Sequence, residues 1–284
     1  MRRRNPLATG HAEWQADAMT APLTHTEHGD AADARDGEIL RTEAGSEVHG
    51  LALPGTADHD ELGVFVEPPE RVIGMAGALD HYVWRTRPEG HRSQHGDTDL
   101  VMYSLRKYLR LATAGNPTVL LPLFAPESSV LASSALGGEL RGMAGTFLTL
   151  RAVERFLGYL DGQVQRLVND DPKLPNRPEL VAAYGYDVKY ASHALRLGLQ
   201  GLEIAERGTL TLPMPEADRE RVLNVKTGGV ADMGEVLAEI AKVRAATAEA
   251  AQSNPAGLAA EPDLDRISAW SVDAHRRHWE LRGL

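Results

Sequence analysis

The chain has 284 residues, with 40 acidic and 30 basic side chains for a formal net charge of −10, and 43% of its residues are hydrophobic. That length can bury a full core, as one large domain or two small ones. The absence of cysteine excludes disulfides, thiolate zinc sites and a cysteine nucleophile. No apolar run of about 18 residues and no signal peptide is legible, and an acidic chain binds nucleic acid only through a local basic surface, so a cytoplasmic protein with no membrane partner is expected.

In chain order, residues 1–36 lack a sustained period and read as a disordered or weakly helical leader. Arg2, Arg3 and Arg4 are read there as a solvated tail, and Met19 is an alternative start. Glu38 to Thr42 alternates as a first strand and leads into Gly45-Ser46-Glu47-Val48-His49-Gly50, a Gly-Ser turn entering a short helix. Glycine at 45 lets the backbone approach a phosphate closely, and the amides that follow, with the Ser46 hydroxyl, can donate to phosphate oxygens. Asp58-His59-Asp60 then opens an apolar strand over roughly Leu62 to Val66. Residues at i and i+2 of a strand share a face, so Asp58 and Asp60 can converge on hard cations such as Mg²⁺ or Mn²⁺.

The stretch from Pro68 to Gly96 reads as irregular. His91 and His95 stand four apart, but Pro88, Gly90 and Gly96 argue for a mobile loop over a metal site. Asp99 heads a second apolar segment, Leu100 to Ser104. Helical spacing follows over Leu105 to Ala112, with a stop at Gly115 and a restart at Pro117. The apolar runs Val119 to Phe124, Ser128 to Leu136 and Phe147 to Leu167 read as helices, broken by Pro172, Pro175 and Pro178.

From about Tyr184 to Arg207, Val188, Ala191, Leu195, Leu199 and Leu202 form one helical stripe and a buried face. Lys189, His193, Arg196 and Gln200 form a second stripe beside it. A cationic stripe bordering a buried face suits the lip of a cleft that meets a triphosphate or a nucleic-acid end; an ordinary solvated flank is the alternative. Thr209 to Leu212 reads as an edge strand. Helices are expected over Glu216 to Lys226, over Met233 to Val243 with an end near Pro255, and over Leu264 to Trp279, where Trp270 packs and His275, Arg276, Arg277 and His278 are exposed.

Gly45-Ser46, the eleven residues up to Asp58, Asp58-His59-Asp60 and then Asp99 together resemble the DNA polymerase β-like nucleotidyltransferase superfamily. Leu105-Arg106-Lys107-Tyr108-Leu109, Gly115-Asn116-Pro117, and Lys189, His193 and Arg196 at their spacing are similar to the RNA-repair-operon-associated branch. The resemblance implies an α+β fold: a small mixed β-sheet nucleotidyltransferase core over 37–125, flanked by helices, and a mostly helical C-terminal region over 126–284 that closes the cleft.

It further implies a metal-dependent transfer of an NMP from an NTP to a hydroxyl acceptor, an RNA 3′ end, a protein or a small molecule, with pyrophosphate release. Asp58, Asp60 and Asp99 would be the catalytic residues and the ligands of Mg²⁺ or Mn²⁺. Gly45, Ser46, Lys189, His193 and Arg196 would bind the nucleotide. Leu62 stands where the family often has Arg, and Leu121-Pro122 stands where it often has an acidic residue; both bear on substrate handling. A catalytically weak nucleotide-binding or antitoxin-like regulatory protein is the rival reading.

Overall fold

The computed structural model describes residues 25–55, 59–91, 94–168 and 177–284. Arg2 to Arg4, Met19, Asp58, Pro172 and Pro175 lie outside the described residues. Strands β1 (Thr26–His28), β2 (Glu38–Glu43), β3 (His59–Phe65), β4 (His81–Arg85), β5 (Thr98–Ser104) and β6 (Val130–Ser133) form a six-stranded sheet in the order β1-β4-β5-β3-β2-β6. Only β3 and β5 among these pair in parallel, so the sheet is mixed.

The sheet is wider than the sequence suggests. β1 and the helix α1 (Ala31–Asp36), capped by the Asp30 carboxylate, are regular structure inside the stretch expected to be a disordered or weakly helical leader, and the strand was not expected there. β4 occupies part of the stretch read as irregular, and β6 replaces a helix expected over Ser128 to Leu136. Short apolar runs do not distinguish strand from helix by period, and both strands are fixed by partners far off in sequence: β4 lies between β1 and β5, and β6 pairs with β2.

Alternation along β3 sorts the two faces of the sheet. Leu62, Val64 and Val66 enter the large core with α4 (Leu105–Thr113), α7 (Leu150–Val168) and α9 (Val188–Arg207). Phe65 joins Leu100, Met102, Tyr82 and Ala34 in a small core on the other side. One face is therefore roofed by helices, and the second is covered by α1.

The helices follow their caps. α9 begins where the Asp187 carboxylate accepts from the amides of Lys189 and Tyr190, and it ends at left-handed Gly208. It is packed against α7, α8 (Pro178–Tyr184), α10 (Glu216–Lys226) and α11 (Met233–Ser253). Its expected apolar stripe is inside, with Val188, Ala191, Leu195 and Leu199 all buried. Pro117 starts no helix; the next one is the single turn α5 (Leu121–Phe124), followed by α6 (Ala135–Gly142). Thr209 to Leu212 is not a strand: the Glu203 carboxylate instead accepts from the Thr211 amide and hydroxyl.

The last helix, α12 (Leu264–Arg282), returns to the sheet. His275, expected at the surface, is buried and lies 3.2 Å through Nε2 from the fully buried Glu67 carboxylate, which also accepts from Arg106 at 2.8 Å. Trp279 donates to the Glu67 carbonyl, and Trp270 packs on the large core as expected. Among the described residues, no helix is long and apolar enough to cross a membrane.

Candidate active site

Asp60 and Asp99 are directly opposite each other at the heads of the parallel strands β3 and β5. Opposed residues on neighbouring strands share a face, and the strands are about 4.8 Å apart, so the two carboxylates stand side by side on the helix-roofed face. Both are half-buried, and Arg85 Nε lies 3.9 Å from the Asp99 carboxylate. Asp58, two residues before Asp60 on the same chain, lies outside the described residues.

The Gly-Ser turn is built against this pair. Gly45 opens the one-turn helix α2 (Gly45–Val48) with φ +61, and a Cβ there would stand 2.0 Å from Oδ2 of Asp60. Glycine is thus required twice, for a left-handed backbone and for room. The Ala44 amide donates to the Asp60 carbonyl at 2.7 Å, and the Leu51 amide closes the turn onto the Ser46 carbonyl. Ser46 itself is half-buried. Leu62 and Leu121, where the family pattern differs, are both buried core residues, Leu121 beneath the turn with Val48.

The stripe of α9 reaches the same turn. Arg196 places NH1 2.9 Å from Nε2 of buried His49, the residue that ends α2, and 2.9 Å from Oε1 of Gln200. Lys189 is exposed, His193 and Arg196 are half-buried, and Gln200 is buried, so the stripe descends from solvent to the turn. Lys226 approaches from α10 and donates to the Leu51 carbonyl.

This corner is electropositive. Burial, then Arg196, Lys189, Arg166 and Arg177, hold His193 down to about 2. Burial, Arg196, His193 and Lys226 depress His49 well below the usual histidine value, and burial lowers Arg196 to about 10. Among the described residues, Arg196 meets no carboxylate. Arg177 does meet one: it pairs with the buried Asp187 and lies 4.7 Å over the Tyr190 ring.

His59 and the neighbouring glutamates belong to the opposite face of β3. The ligand atoms of Glu43, Glu47 and His59 lie within 4.8 Å of one another. However, His59 already holds Glu47 through Nδ1 at 2.9 Å and Glu61 through Nε2 at 3.1 Å. Burial opposes the protonated ring, but the two carboxylates outweigh it and raise its pKa. The network fixes the head of β3. His91 lies in a loop without helix, like its neighbour His95.

The remaining motif residues act in packing. Leu105, Tyr108 and Leu109 are core, Arg106 binds Glu67, and Lys107 reaches Asp80 at 3.3 Å. Asn116 caps the amides of Thr118 and Val119, and its side chain donates to Tyr159. Gly115 has φ +71 and lets the turn approach α7, where a Cβ would stand 2.5 Å from Cα of Ala152. The sequence reading assigned no role to His49, although it lies inside the Gly-Ser stretch, because its partner Arg196 is 147 residues away.

Among solved structures, a nucleotidyltransferase-like protein from Exiguobacterium sibiricum 255-15 is similar, with 12% identity over 76% of this chain and 69% of that one and a TM-score of 0.28. At that score the likeness carries no weight for the fold. No curated protein matches the chain. The sequence pattern of the RNA repair pathway DNA polymerase beta family, RlaP, matches residues 28–280, nearly the whole length, with the Gly-Ser turn and the Asp60–Asp99 pair inside the match. The chain belongs to this family and is a nucleotidyltransferase of the polymerase β type.

Proposed function

We infer that the chain moves an NMP from an NTP to a hydroxyl acceptor and releases pyrophosphate, with Asp58, Asp60 and Asp99 as the catalytic carboxylates. The observation that carries the reading is the opposition of Asp60 and Asp99 across β3 and β5, with Asp60 seated against Gly45. Two hard, adjacent carboxylates suit Mg²⁺ or Mn²⁺, and Asp58 would join them as a ligand. Bound there, the metal would offset the charge that develops on the attacking and leaving oxygens.

The chain's own groups do the rest. The acceptor oxygen bonds to the α-phosphorus as the bond from that phosphorus to the β-phosphate oxygen breaks, and pyrophosphate leaves. Asp99 takes the acceptor proton and passes it to solvent. Ser46 and the turn amides hold the β- and γ-phosphates, and Lys189, His193 and Arg196 extend that hold along α9. His193, its pKa held down to about 2 and its ring therefore neutral near pH 7, can give one N–H, whereas Arg196 can offer paired donors.

The division into a catalytic unit over 37–125 and a cleft-closing region over 126–284, and a cytoplasmic location, belong to the same proposal. For the acceptor, we favour an RNA end, in keeping with the RNA repair pathway for which the family is named. Incubation with α-labelled NTPs and a cell extract, followed by RNase or protease, tests this. Label released by RNase is expected; label released only by protease contradicts the RNA end, and no metal-dependent labelling supports the regulatory alternative.

A further inference from the structure

The contacts around Arg196 contain a conflict of hydrogen-bond roles. A guanidinium only donates, so the 2.9 Å contact from Arg196 NH1 to His49 Nε2 requires Nε2 to be bare and the ring proton to sit on Nδ1. That Nδ1–H faces the Gln200 amide nitrogen at 3.3 Å, a donor against a donor. Turning the amide over is permitted, since its oxygen and nitrogen are assigned from such networks. But the turned amide would then set its nitrogen against Arg196 NH1, where its oxygen now stands at 2.9 Å. In either orientation one contact of the trio sets a donor against a donor. His49 and Gln200 are buried, at 3% and 2% exposure, and buried donors without acceptors are costly.

We propose that His49 is a positioning residue for Arg196, holding one guanidinium nitrogen through bare Nε2 so that a phosphate oxygen brought to this corner becomes the missing acceptor. When that oxygen takes the Arg196 hydrogen that now meets Gln200, the amide turns its own oxygen to Nδ1–H, and both the guanidinium hydrogen and the ring N–H then have acceptors. The surrounding charges favour this arrangement: Arg196, His193 and Lys226 all oppose protonation of His49. Because His49 ends α2 and Arg196 belongs to α9, the same contact joins the Gly-Ser turn to the cationic stripe. The inference rests on the reading of this corner as a phosphate site.

Two measurements test it. ¹⁵N spectra of histidine-labelled protein, with His49 identified by its loss in His49→Phe, should show a neutral ring protonated at Nδ1 with Nε2 bare; Arg196→Met should return the ring to mixed tautomers. A ring protonated at Nε2, or on both nitrogens, overturns the proposal. Titration with Mg²⁺ and inorganic tripolyphosphate should then show binding by the wild type and a loss of about tenfold or more in His49→Phe, the scale of one charge-assisted hydrogen bond. His49→Gln, whose amide oxygen can stand in for Nε2, should recover most of that loss. Equal binding by wild type and His49→Phe overturns the role of His49 and leaves the phosphate site standing. Absence of wild-type binding overturns both.

Discussion

Oδ2 of Asp60 occupies the space that a Cβ on residue 45 would need, 2.0 Å from its ideal position. The glycine of the Gly-Ser turn and the Asp60 carboxylate therefore compete for one volume, and neither can be placed without the other. In Gly45→Ala the added carbon displaces Asp60 or the turn, and the left-handed backbone adds about 1–2 kcal/mol of strain. Turnover should fall at least about a hundredfold, the scale seen when a group that stabilises the transition state is removed. The melting temperature should fall only modestly. Steady-state assays beside thermal melts check this, and a Gly45→Ala protein with wild-type turnover would show that the contact carries no catalytic weight.

The proposed role of the α9 stripe in binding can be separated from any role in stability. Lys189 and Arg196 are seven residues apart, about 10.5 Å along a helix axis, and among the described residues Arg196 has no carboxylate partner. Lys189→Ala and Arg196→Ala should each weaken NTP or acceptor use by about tenfold or more with nearly unchanged thermal stability. Wild-type kinetics in both variants, or losses that only follow the melting temperature, would make the stripe structural.

Folding stability should fall on mild acidification. His49 and His193 have folded pKa values far below the unfolded value of about 6.5, so below that pH the unfolded chain binds protons that the folded chain does not. Their contribution is present above about pH 6.5 and is lost as pH falls, by up to about 1.4 kcal/mol per pH unit for each ring. Chemical denaturation of wild type and His193→Gln at pH 7.5 and 5.5 measures the slope. His193→Gln should flatten it, and an unchanged slope would mean that His193 is charged in the folded protein.

Glu67 ties the last helix to the sheet. Its carboxylate is fully buried between Arg106 and His275, and these partners outweigh burial to keep it ionised. Glu67→Gln removes the counter-charge from Arg106, which is 42% exposed and can be solvated, and should destabilise the fold by about 1.5–3 kcal/mol, the scale of a hydrogen bond to a charged group. Denaturant midpoints report this; a loss below 1 kcal/mol would mean that α12 docks through its apolar contacts alone.

What could be read from sequence alone was local. The Gly-Ser turn, the head of β3 and Asp99 follow from two-residue alternation and turn chemistry within short windows, and the stripes of α9 follow from one helical period. β4 and β6 were missed because a strand of four or five residues is defined by its neighbours in the sheet. His275 was read as exposed from its basic surroundings, since nothing near it in the chain points to Glu67, 208 residues away. The same distance problem hid the contact of His49 with Arg196.

The most direct test of the account is metal-dependent pyrophosphate release from NTPs by wild type and Asp60→Asn, with cell extract supplying the acceptor. The account predicts release by the wild type only with Mg²⁺ or Mn²⁺. Asp60→Asn should lose at least about a hundredfold in rate while melting no lower, because removing one of two adjacent like charges relieves repulsion in the metal-free protein. Undiminished release by a folded Asp60→Asn protein would contradict it.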